Sequence, residues 1–164
     1  MDFIKEPMAI ENRSMELIAP HLAELGLDEA ATKVYSRLIH ASGDVGYAPI
    51  IRVHPEAIAV AMDALRKGAH IYTDVEMVRT GINKKKLASF GGEVHCLVAD
   101  PDVAVRAKQE GITRSMIAMR QFGKDLNGSI IAIGNAPTAL FEVLRMVREE
   151  GIRPACIVGI PVGF

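Results

Sequence analysis

Arg37 and His40 lie three residues apart in Tyr35-Ser-Arg-Leu-Ile-His-Ala-Ser-Gly-Asp44, a spacing that puts both side chains on one face of a helix. Gly43 follows as a candidate C-terminal cap. An imidazole beside a cation at a helix end has the chemistry of a proton donor or acceptor for an anionic ligand. The same pattern also fits a histidine that merely finishes a helix. Three further segments combine glycine, proline and short polar residues where a chain must turn close to a ligand: Asp74-Val-Glu-Met-Val78, Gly134-Asn-Ala-Pro-Thr138 and Gly159-Ile-Pro-Val-Gly163. Each has a plainer reading: Asp74 and Asn135 as caps of the helices that follow them, Gly134 and Gly159 as tight turns. None matches a G-x-G-x-x-G, P-loop, G-x-S-x-G or H-E-x-x-H pattern, so nucleotide binding and these hydrolytic centres find no support.

The elements that would carry these residues alternate between helix and strand. Met15, Ile18, Leu22 and Leu25 recur at helical spacing up to Gly26; a second helix starts at Asp28 and buries Ala31, Val34, Tyr35 and Leu38. A third opens at Pro55, buries Ile58, Met62 and Leu65, and ends at Gly68. Four short apolar runs read as buried parallel strands: residues 69–73, 93–98, 129–133 and 155–158. Helices over 101–110, 115–126 and 137–150 fall between or after them. Strands separated by helices imply βαβ units around a parallel sheet, whose ligands bind outside the carboxyl ends of the strands.

At 164 residues the chain is read as one domain, 1–164, without repeats or linkers. No uncharged stretch is long enough for a membrane span, and Met-Asp-Phe-Ile-Lys-Glu lacks the layout of a secretion signal. A formal charge of -1 argues against a general nucleic-acid binder. Cys96 and Cys156 read as small buried hydrophobes of a reducing cytoplasm. The histidines at 21, 40, 54, 70 and 95 form no metal-ligand spacing, so no metal site is expected.

Six blocks then stand in order: Ile10-Glu-Asn-Arg-Ser-Met15, Arg37-Leu-Ile-His40, Thr73-Asp-Val-Glu-Met-Val78, Thr113-Arg-Ser115, Ala132-Ile-Gly-Asn-Ala-Pro-Thr-Ala-Leu140 and Gly159-Ile-Pro-Val-Gly-Phe164. Together they resemble the precorrin-8X methylmutase family of cobalamin biosynthesis, also known in its cobalt-precorrin-8 form, across essentially the whole chain. The resemblance implies a flavodoxin-like three-layer α/β/α fold with a mostly parallel sheet, a homodimer, and a corrinoid tetrapyrrole substrate. It implies an isomerase that moves a methyl group from carbon 11 to carbon 12 of the ring, giving hydrogenobyrinic acid, or cobyrinic acid when cobalt is present. No cofactor is implied; any cobalt belongs to the substrate ring. The family's catalytic histidine falls on His40, and its substrate-contacting serine and arginine fall on Ser14 and Arg37.

The residue chemistry fits those roles. The substrate is a flat ring edged with carboxylates, and a guanidinium offers a carboxylate a planar fork that an ammonium does not. A histidine could protonate the macrocycle, assist migration and recover the proton. Arg114, Asn135 and Thr138 are further lining candidates, from the family-like blocks and the strand-end rule. Family members usually continue beyond the Pro-Val-Gly-Phe block, whereas this sequence stops at Phe164. The expectation is therefore a sheet lacking the family's C-terminal element, with an apolar edge or face uncovered. The alternative function is a shortened, catalytically impaired corrinoid-binding protein.

Overall fold

The computed structural model describes residues 3–162, so the last two residues of the Pro-Val-Gly-Phe block lie outside the described residues. The chain forms two compact units, Met1–Ile58 and Ala59–Phe164.

The first unit is a helical pair. Helix α1 spans Pro7–Ala23 and α2 spans Glu29–Ser42. Asp28 caps α2 by accepting from the Ala31 N–H at 2.7 Å. Gly43 ends it at φ 67, a left-handed conformation that suits glycine, with its N–H donating to Ile39 O at 2.8 Å. Ile18 and Leu22 of α1 pack with Tyr35, Ile39 and Ala48. Tyr35 and Ile39 are the fully buried positions of α2, whereas Ala31, Val34 and Leu38 are half-buried. The Tyr35 hydroxyl donates to Ile51 O at 3.1 Å, so the ring is buried without an unpaired oxygen.

The second unit is the α/β part. In chain order, α3 (Ala57–Arg66, which begins just ahead of the boundary), β1 (Ile71–Thr73), α4 (Glu76–Gly81), α5 (Lys84–Ala88), β2 (Val94–His95), α6 (Pro101–Glu110), α7 (Arg114–Phe122), β3 (Ile130–Ile133), α8 (Pro137–Glu149) and β4 (Cys156–Gly159) follow one another. All pairings are parallel and the order is β2-β1-β3-β4. This is the flavodoxin-like order 2-1-3-4-5 through its fourth strand, as expected from the sequence. β4 is an edge among the described residues, and Val158, Ile160 and Val162 are exposed there.

Alternation sets the faces. Tyr72, Ile131, Ile133 and Ile157 point to the side covered by α7 and α8, where Met119, Phe122, Ala139, Val143 and Met146 complete the core. Each such aliphatic side chain contributes about 1.5–3 kcal/mol through burial. Several expectations shift in detail. The run at 93–98 is a strand only at Val94–His95, because among the described residues it is an edge paired with the three-residue β1 alone. The helix expected over 115–126 stops at Phe122; Gly123, at φ 51, turns the chain into a 3₁₀ segment, Gly123–Leu126. Met62 is exposed rather than buried, and Ala64 is the buried residue of α3.

Candidate active site

In the first unit, His40 occupies the last turn of α2 and is exposed. Arg37, one turn earlier, reaches α1: its Nη2 lies 2.6 Å from Glu11 Oε1. Ser14, one turn after Glu11 on α1, is half-buried and donates its hydroxyl proton to Ile10 O at 3.0 Å. That bond leaves the Ser14 oxygen as an acceptor for a ligand rather than a donor. Two sequence blocks that are 26 residues apart are thereby joined through Glu11 and Arg37. A groove of about 640 Å³ runs along the same helix pair, floored by Met15, Ala19 and Leu22, with Lys33 and Arg37 among its lining; His40 and Ser14 do not line it.

In the second unit, Arg114, Asn135 and Thr138 gather at the carboxyl end of the sheet. Thr138 Oγ1 lies 3.0 Å from Thr113 Oγ1. Thr113 caps α7, accepting from the Met116 N–H at 3.2 Å, and Arg114 opens that helix, exposed. Asn135, also exposed, sits in the β3–α8 connection. It does not cap α8: the N-cap is Ala136, which has no side-chain cap of its own.

Asp74 departs from both sequence readings. It is completely buried and does not cap the following α4, whose N-cap is Val75. Its carboxylate instead accepts from three successive backbone N–H groups of the β3–α8 connection, at Gly134 (3.1 Å), Asn135 (2.9 Å) and Ala136 (2.6 Å). Gly134 is required by close approach, since a Cβ there would come within 2.6 Å of Val78 Cγ2. The blocks around Asp74 and Asn135 are therefore one structural device.

The parallel register also assembles a cluster that sequence spacing missed. His70, Glu93 and His95 share one face of β1 and β2, with one potential ligand atom from each within 4.8 Å of the others. His70 Nδ1 accepts the Glu93 N–H at 3.0 Å. That bond places the ring proton on Nε2, so neither His70 nitrogen presents a free lone pair to an ion. The two remaining donors are fewer than the three protein ligands of an open zinc site. Among the ionisable groups nearby, burial pushes the Cys96 thiol up, which makes it a poor nucleophile, and burial does the same to Cys156. Both cysteines are free and half-buried. The Glu76 carboxyl is held below the usual range by its hydrogen bond to Arg79.

A family model described as Precorrin-8X methylmutase matches residues 9–164. The chain belongs to the precorrin-8X methylmutase family. The Cobalt-precorrin-8 methylmutase of Leptospira interrogans is 41% identical over 157 residues, covering 94% of this chain and 71% of the relative. The Precorrin-8X methylmutase of Sinorhizobium sp is 38% identical over 163 residues, covering 99% and 77%. A crystal structure described as precorrin-8X methyl mutase from Thermus thermophilus superposes with a TM-score of 0.84 at 35% identity, covering 96% of this chain and 76% of that one. Both cobalt and cobalt-free names occur in this methylmutase family, so membership leaves the ring's metal open.

Proposed function

We propose that this chain is the isomerase of cobalamin biosynthesis that moves a methyl group from carbon 11 to carbon 12 of precorrin-8X or its cobalt form. The observation that carries this reading is the family match over residues 9–164. In the reading, His40 gives a proton to the macrocycle and takes it back after the migration, so nothing is oxidised or reduced and atoms balance. Its exposed position at the end of α2 suits that role. Such assistance is typically worth about 10²–10⁴-fold in rate. Arg37 binds a ring carboxylate that displaces its weak surface partner Glu11, and Ser14 accepts a hydrogen bond. Arg114, Asn135 and Thr138 line the strand-end crevice of the second unit, Arg114 as a second cation for the substrate's carboxylates. The filling of the β3–α8 amides by Asp74 speaks against a nucleotide ligand, whose phosphate would need them.

The reading includes one functional domain spanning 1–164, no cofactor, no metal of the protein's own and a homodimer. Two unpaired cysteines support a cytoplasmic location. Among the described residues, no helix is long and apolar enough to cross a membrane.

The test is the absorption spectrum after mixing the protein with precorrin-8X and with its cobalt form, with His40→Ala alongside. The parent is expected to convert one of them, and His40→Ala to bind the ring but lose turnover by about 10²-fold or more. Binding by the parent without conversion would overturn the isomerase reading in favour of a corrinoid carrier; conversion by His40→Ala at the parent rate would overturn the histidine's role.

A further inference from the structure

In an open parallel sheet the natural ligand seat lies where the strand order reverses, here between β1 and β3. Successive backbone N–H groups at that point form a concavity that attracts anions, reinforced by the helix that follows. The β3–α8 connection has this geometry: three consecutive amides, then the 13-residue α8 with Pro137 in its first turn. Yet the seat is filled from within. Asp74, at the end of β1 and completely buried, accepts all three amides through both carboxylate oxygens.

We propose that Asp74 is a positioning and specificity-determining residue, a built-in anion that occupies the Gly134–Asn135–Ala136 amide seat, presents Asn135 and Thr138 to the substrate, and denies that seat to the substrate's own carboxylates. The proposal rests on the isomerase reading and adds a reason for the pattern of side chains around the crevice. A polycarboxylate ring offered a free nest of amides would dock a carboxylate there in several registers. With the nest occupied, its carboxylates are left to discrete cations such as Arg114. Rigidity comes from the surroundings. Thr73, also buried, donates its hydroxyl to His95 O at 3.1 Å and so ties the end of β1 to β2. A Cβ at Gly134 would come within 2.6 Å of Val78 Cγ2, so any other residue there would require Val78 to shift. Thr138 is joined to the cap of α7 through Thr113. Asn135 therefore stands on a loop whose neighbours on both sides are bonded to one buried carboxylate. A shift of that loop by about 1 Å is of the size that costs a reaction about 10²-fold.

The experiment compares the full-length parent, Asp74→Ala and Asp74→Asn in sodium formate and, at equal ionic strength, sodium chloride. Formate is a carboxylate small enough to take the vacated place. Asp74→Ala is expected to lose about 10- to 100-fold in kcat, with a smaller change in KM, and to melt at a lower temperature than the parent. Formate, but not chloride, should raise the melting temperature of Asp74→Ala and return part of its kcat, while leaving the parent unchanged. Asp74→Asn, whose amide nitrogen would face a backbone N–H and still fill the space, should be impaired and unresponsive to formate. If Asp74→Ala does not fold in chloride, refolding in formate should recover folded protein. Parent-like kcat in Asp74→Ala, or equal behaviour in formate and chloride, would overturn the proposal. An inactive parent would sink the isomerase reading alone, because the melting comparison needs no turnover.

Discussion

Arg37 shows how a residue can be placed by the fold and still be free to bind. Its guanidinium and the Glu11 carboxylate are 65% and 37% exposed, so their 2.6 Å contact is a surface ion pair, worth about 0.2–1 kcal/mol. A ring carboxylate gripped by both arms of the fork can displace a partner held that weakly. Arg37→Ala should therefore raise KM by about 10- to 100-fold, the equivalent of the roughly 1.5–3 kcal/mol typical of a hydrogen bond to a charged group. kcat should stay within about threefold, because the contact is equally present before and during migration. Arg37→Lys should recover only part of the loss, a point charge lacking the fork. Steady-state kinetics on precorrin-8X decide this, and an unchanged KM in Arg37→Ala would remove the residue from binding. At this scale the sequence was informative about Arg37 and His40, because helical spacing is local. It said nothing of Glu11 as the partner, because that contact depends on how α1 and α2 pack.

Among the elements, α7 and α8 are held together by a buried ionic knot as well as by their apolar faces. Glu142, 2% exposed, accepts from Arg120 Nε at 2.8 Å and from Arg145 Nε at 2.8 Å. Arg120 also pairs with Glu110 of α6 at 2.8 Å. Burial alone would raise the Glu142 carboxyl; the two guanidiniums outweigh it and hold the group below the usual carboxylate range. A carboxyl depressed in the folded state stabilises the protein fully above its unfolded value of about 4.3, and the contribution fades as pH falls through the lower folded value. Glu142→Gln should destabilise the protein by about 2–3 kcal/mol at neutral pH, below the 3–5 kcal/mol of a fully buried pair because both arginines are about one-third exposed. Urea unfolding of parent and variant at neutral pH and again below about pH 4 checks this. The gap between the two should narrow in acid, and a gap independent of pH would mean that the ionised carboxylate is not the stabilising form.

For the whole molecule, β4 is an edge of the sheet among the described residues, Val158, Ile160 and Val162 are exposed at or just after it, and Phe141 of α8 is 68% exposed. Apolar surface of this kind is a common feature of chains that associate. The proposed homodimer predicts a species of twice 17.8 kDa by sedimentation velocity at micromolar concentration. A species of 17.8 kDa at every concentration would discard the dimer.

What the sequence determined by itself is what depends on neighbours along the chain. Asp28 and Gly43 bound α2, Pro101 and Gly111 bound α6, and the four apolar runs became β1 to β4, since caps, turns and periodicity act within a few residues. The ordered motif blocks likewise carried the family. Tertiary structure alone decided which distant residues meet. A parallel sheet pairs strands only after a crossover helix, so its partners are separated by a length that no local pattern encodes. Asp74 therefore meets amides some 60 residues later, and His70 meets Glu93 across 23 residues. In both cases the residue's chemistry was visible beforehand; its task became visible only when the register brought a partner to it.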